Sequence, residues 1–140
     1  MAEFTANAIQ NVGVNQNILF TDTAIPGSCS IIHREGSGLV TLRGLTSTQC
    51  RARFRVFFNA NIAVPTGQTP QSISAAIAIN GEPVSSTRMI VSPGDTRYFN
   101  ISSSVYIDIP KGCCSQISVE NVSAIPIDVQ NANLIVERVA

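Results

Sequence analysis

Tryptophan is absent, histidine occurs once, tyrosine twice, and charged residues make up only 13% of the chain. A typical globular domain carries about 25% charged residues. Formal net charge is +0. Nucleic-acid binding needs a basic excess to displace counterions, so a nucleic-acid partner is not expected. No apolar run approaches the roughly 18 residues of a membrane span, so no membrane partner is expected either. The opening MAEFTANAIQ contains an acidic residue and no basic stretch, and is not read as a secretory signal. No glycine-rich phosphate loop occurs. The scattered acids Asp22, Glu35, Asp95, Asp108 and Asp128, with a single histidine, give no metal-ligand spacing. No cofactor is expected.

His33 has Cys29 four residues before it and Ser28 and Ser30 nearby. A nucleophile and its base must stand within hydrogen-bond reach. Residues four apart on a strand lie about 13 Å apart, so local geometry builds no dyad. A turn or interface histidine is the expectation, and no enzyme is read.

What is present is a β pattern from end to end. Gly, Pro, Asn, Ser and Thr recur every 8 to 12 residues or so, with β-branched runs between them. The spacing predicts strands at Phe4–Ile9, Asn17–Phe20, Ser30–Arg34, Gly38–Leu42 and Arg51–Val64. It predicts further strands at Ser72–Ile79, Arg88–Val91, Thr96–Ile109, Cys114–Asn121 and Ile127–Val139. About ten strands and no helix in 140 residues is a jelly-roll count. Residues 1–140 read as one all-β jelly-roll β-sandwich domain. Asn80-Gly81 after Ser72–Ile79 suits a type I′ hairpin, which needs positive φ at both positions.

Mean hydropathy is +0.21. With so little charge, either Ser, Thr, Asn and Gln cover the surface or neighbouring subunits do. The four cysteines, Cys29, Cys50, Cys113 and Cys114, include no CxxC. Reduced, buried thiols are the leading reading, with a disulfide within or between chains as the alternative. A chain this long does not need a disulfide to hold a core. Asn100-Ile101-Ser102 and Asn121-Val122-Ser123 match the N-glycosylation pattern.

Arg51, Arg53 and Arg55 alternate with Ala52, Phe54 and Val56, one charged face against one apolar face. The row is either a contact for a carboxylate-bearing neighbour or anionic glycan, since Arg forks bind such groups, or a solvated, internally paired row.

The segment NILFTDTAIPGSCSIIHREGSGLVTLRG, the hairpin AIAINGEPV and the closing NANLIVERVA resemble the tumour-necrosis-factor-like and complement-globular-head jelly rolls. The nearest likeness is to the C-terminal domains of BclA-type collagen-like glycoproteins of the spore exosporium and to related phage or surface proteins. Thr48-Gln49-Cys50 stands where members of this group often carry Gly-x-Tyr, and no Gly-x-y stalk precedes the domain. The resemblance implies a homotrimer around a three-fold axis. Strand alternation turns Ile135 away from the face of Leu134 and Val136, and aromatics are favoured in such contacts, so Tyr98 or Tyr106 with the closing strand near Ile135 is expected at the subunit interface. The resemblance implies no single function, because this fold serves many. A non-catalytic trimeric knob or decoration protein on a virion, spore or cell surface, within a larger assembly, is the expectation. A lectin-like or receptor-binding head is the alternative.

Overall fold

The computed structural model describes all residues 1–140 as two antiparallel sheets. Strands β1 (Ala2–Ala6), β2 (Gln10–Val12), β3 (Asp22–Ile25), β4 (Ile31–His33), β5 (Val40–Arg43) and β6 (Arg51–Ala63) fill the first half. Strands β7 (Ile73–Ile79), β8 (Glu82–Pro83), β9 (Met89–Val91), β10 (Phe99–Pro110), β11 (Cys114–Asn121) and β12 (Ile127–Arg138) fill the second. A 3-10 turn at Ser85–Thr87 is the sole helical element. One sheet runs β10-β6-β12-β1-β3 with β2 beside β12; the other runs β4-β5-β11-β7-β8 with β9 beside β7. This is a jelly-roll sandwich.

The core follows from alternation. On β6, Ala52, Phe54, Val56, Phe58, Ala60 and Ile62 all point inward and are sealed from solvent. Leu134 and Val136 on β12 and Phe4 on β1 meet them in the same layer. Each such Phe, Leu or Ile contributes roughly 1.5–3 kcal/mol by leaving water. Ile73, Ala75 and Ile77 of β7 and Ile117 and Val119 of β11 supply the facing layer. The Asn80-Gly81 turn has φ of 52° and 84°, as a type I′ hairpin requires.

Three expected elements differ. Phe4–Ile9 is not one strand: β1 ends at Ala6 and β2 starts at Gln10. Both pair with β12, which carries an irregularity between Gln130 and Asn133 with Asn131 at φ 55°. Asn17–Phe20 is not a laddered strand. The Ile18 and Phe20 amides donate to Val119 of β11 and to Ser37 in the β4–β5 loop, so the segment threads inward and plugs the core. The strand lies just after it, at Asp22–Ile25, and pairs with β1. On β7 both faces are buried within the chain itself: the outward Ser74, Ala76 and Ala78 are small, and Arg88 Nε donates to Ser74 Oγ. Val139, expected as the last residue of the closing strand, lies past the end of β12 and is exposed, whereas Leu134 and Val136 face inward. Its position is odd where theirs are even, so alternation turns it outward.

Candidate functional site: the outward face of the first sheet and its arginine end

The five central strands of the first sheet leave one broad face outward. Its rows follow from the register. Ser104 of β10, Phe57 of β6, Ile135 of β12 and Glu3 of β1 stand side by side. The next row toward the C-terminal end is Tyr106, Arg55 and Glu137. The next row the other way is Ser102, Asn59, Asn133 and Thr5. Phe57 and Ile135 are half-buried and Tyr106 is 64% exposed. Diagonal neighbours on a sheet reach one another when one is aromatic, so Tyr106 extends the Phe57–Ile135 strip. On one side of that strip the row is uncharged and on the other it carries Arg55 and Glu137, while Glu3 stands beside Ile135 with its carboxylate accepting from Asn133 Nδ2 at 2.7 Å.

The structure places Tyr106 and Ile135 on the same face, one on either side of β6, and leaves Tyr98 apart. Tyr98 precedes β10 at the far end of the sandwich, eight residues and so roughly 26 Å from Tyr106. Partial burial raises the Tyr98 hydroxyl above its ordinary pKa, and the nearby Asp128 charge adds to this. Sequence reasoning missed Phe57, although the signal was there: period two carries the Arg51, Arg53, Arg55 face on to Phe57.

The arginine row is real but unequal. Arg51 and Arg53 both pair with Asp108 of β10, at 3.1 and 2.8 Å, and Arg53 does so through two nitrogens. The Arg53 hydrogen bond, helped by the charges of Arg53 and Arg51, lowers the Asp108 carboxyl below its usual range. Arg55 makes no ion pair and faces solvent between Tyr106 and Glu137. Two shallow hollows of about 410 and 460 Å³ adjoin the paired arginines and share Arg53 and Ala140. The arrangement offers one free guanidinium, Arg55, to a carboxylate; the other two are held by their own chain.

His33 lies on β4 rather than in a turn. Its ring packs 4.5 Å from Phe4 and 6.4 Å from Phe20, and Nε2 meets the Ser37 carbonyl at 2.9 Å. Nδ1 is buried without a partner. Of the two glycosylation motifs, Asn100 is exposed and Asn121 is fully buried. Asn121 Nδ2 donates to the carbonyls of Val12, Gly13 and Ile125, which leaves no amide for a glycan. The four cysteines are exposed and unpaired, which overturns the reading of buried thiols. Each sits at a loop or strand start at one end of the sandwich, where the core has already closed.

No protein-family model and no curated protein sequence matches the chain. Solved structures do match it in three dimensions. The globular domain of zebrafish complement 1qA protein superposes with a TM-score of 0.70 at 12% identity, over 99% of this chain and 96% of that one. Eiger TNF from S. frugiperda gives 0.72 at 12%, over 99% and 91%. Murine APRIL, crystallised at pH 8.5, gives 0.62 at 9%, over 97% and 98%. No helix of the chain is long and apolar enough to cross a membrane. Taken together with the strand order, these likenesses show that the chain adopts the TNF/C1q-like jelly-roll fold.

Proposed function

We propose that this chain is a non-catalytic structural module, a homotrimeric knob that decorates the surface of a larger particle such as a virion, a spore or a cell. The observation that carries the reading is the apolar strip on the outward face of the first sheet, where Phe57 and Ile135 stand side by side and the exposed Tyr106 lies diagonal to Phe57, between the uncharged Ser102–Asn59–Asn133–Thr5 row and the Arg55–Glu137 row. Enrichment in aromatic residues marks interface cores. The low overall charge supports it, as does the resemblance to BclA-type exosporium domains. The packing of His33 on Phe4 and Phe20, rather than beside a nucleophile, supports a non-catalytic role.

A glycan-binding head is the weaker reading. An open groove of about 580 Å³ is lined by Gln10, Asn15, Gln16 and Asn17 among others. Yet Gln10 bonds the Leu19 amide and carbonyl at 2.9 Å each, and Gln16 accepts from the Gly13 amide. Those amides are occupied by their own backbone, and no aromatic ring lines the groove for a sugar to stack on. The test is oligomeric state by light scattering, with Ile135→Asp as the disrupting variant. A trimer that falls to monomer supports the reading, and a monomeric wild-type chain overturns it.

A further inference from the structure

All four cysteines of the chain stand at one end of the sandwich, although they come from three distant stretches of sequence. The register places them. The Arg43 amide donates to Ser30 O, so Cys29 lies beside Gly44 on one flank of β5. The Gly44 amide donates to Cys113 O at 2.8 Å, so Cys113 lies beside Gly44 on the other flank, with Cys114 next to it opposite Arg43. The Lys111 amide donates to Cys50 O at 2.9 Å, which puts Cys50 against the turn that leads into Cys113. Every one of the four is exposed and none is bonded. Arg43, Arg51, Arg53, Lys111 and Arg138 belong to the same end.

Within one chain these thiols have few ways to pair. Cys29 is separated from Cys113 and Cys114 by β5, two strand spacings or about 10 Å. A disulfide needs its Cα atoms within about 7 Å. Cys50 belongs to the opposite sheet, again roughly 10 Å from Cys29. Cys113 and Cys114 are adjacent, and joining them closes a strained eight-membered ring where β11 is already extended. Cys50 stands opposite Lys111, two residues before Cys113, so a Cys50–Cys113 pair is the one within a chain that this placement leaves open. At least Cys29 and Cys114 are left, and two free thiols per chain is the number that extends a covalent chain rather than capping a dimer.

We infer that this end is a site of oxidative cross-linking, where Cys29 and Cys114 form disulfides to second copies of this chain and lock an assembled layer. The oxidant is a small-molecule disulfide. A protein thiolate attacks it, forming a mixed disulfide and expelling one small thiol. A thiolate of a second copy then attacks the protein sulfur and expels the other. Two protein thiols are oxidised by two electrons in total, and the small disulfide is reduced to two thiols. The site is independent of the outward sheet face, so it stands or falls separately from the trimer.

The test uses the full chain treated with oxidised glutathione and read on a non-reducing gel and by intact mass. The wild-type chain is expected to give a ladder of dimer and higher multiples that dithiothreitol collapses to monomer. Cys29→Ser with Cys114→Ser is expected to abolish the ladder while leaving a monomer short of two hydrogens, the Cys50–Cys113 bond. Serine fits both exposed positions, and unchanged thermal unfolding confirms that the fold is retained. Wild-type chain that stays monomeric, carrying only glutathione adducts or internal disulfides, overturns the inference. So does a ladder undiminished in the double variant.

Discussion

At one end of the sandwich, the stretches 26–30, 43–50 and 110–114 with Ala140 gather four thiols and a concentration of cations; at the other, 12–17, 64–72, 92–98 and 122–126 gather amides, hydroxyls and prolines. The amide end is fastened from inside. Asn121 is fully buried, donates to three carbonyls and accepts from the Ser123 amide, while Ser123 Oγ bonds the Ser74 carbonyl at 2.9 Å. The cysteine end is fastened by close backbone approach and by surface cations. Gly44 sits against Pro110, and Arg138 reaches across the mouth of the sandwich to Ser30 Oγ and the Leu45 carbonyl. The comparison teaches that one fold can close its two ends by different physics. A buried polar network fixes one end, whereas the other is held without using its cysteines, which leaves them free for chemistry.

The comparison breaks most sharply at Asn121. Asn121→Ala removes four hydrogen bonds and strands three carbonyls in a buried site. At about 1–3 kcal/mol for each unsatisfied buried group, the cost should reach at least about 3 kcal/mol. Denaturant unfolding checks it; a loss under about 1 kcal/mol would mean that water replaces the side chain and the network is dispensable.

Gly44→Ala tests the other end. The added Cβ would collide with the Pro110 carbonyl oxygen, which is backbone and cannot swing away. Overpacking of this kind costs typically 1–3 kcal/mol, and thermal unfolding should fall accordingly.

The smallest effect belongs to Asp108. Its carboxyl is held below the ordinary range by the Arg53 hydrogen bond first, so its pKa is lower folded than unfolded. Stability from this link is therefore complete above the unfolded carboxylate pKa and is lost as pH falls through the folded one. The group is exposed, so the contribution is small. Asp108→Asn should flatten the acid limb of the stability profile slightly and leave neutral-pH folding intact; an unchanged acid limb would show the pair to be inert.

Much of this was legible in the chain. β6, β11 and β12 follow from long alternating runs, and the hairpin at Asn80-Gly81 from its dipeptide alone. β3 and β8 were not, because four and two residues are too short to show a period. Asn17–Phe20 looked like a strand because Ile18, Leu19 and Phe20 are apolar, yet its amides bond two different partners and it packs as a plug. The outward face was half legible: Tyr106 and Ile135 were expected there, while Tyr98 shares the parity of Tyr106 but lies beyond the strip. The gathering of the cysteines was not legible at all. Residues 29, 50 and 113 meet only because β4, β6 and β11 all begin at the same end, which is a property of topology. Their exposure was misread because a thiol counts as a small apolar group until its place at a loop is known.

The central claim is that Phe57, Ile135 and Tyr106 mark the face by which copies of this chain associate. The most direct measurement is light scattering behind a sizing column, in reductant, on the wild-type chain and on Ile135→Asp. The wild-type chain should read near three times 14.9 kDa, and the variant should be a folded monomer by circular dichroism. A wild-type monomer at micromolar concentration, or an Ile135→Asp chain that stays folded and trimeric, would contradict the account.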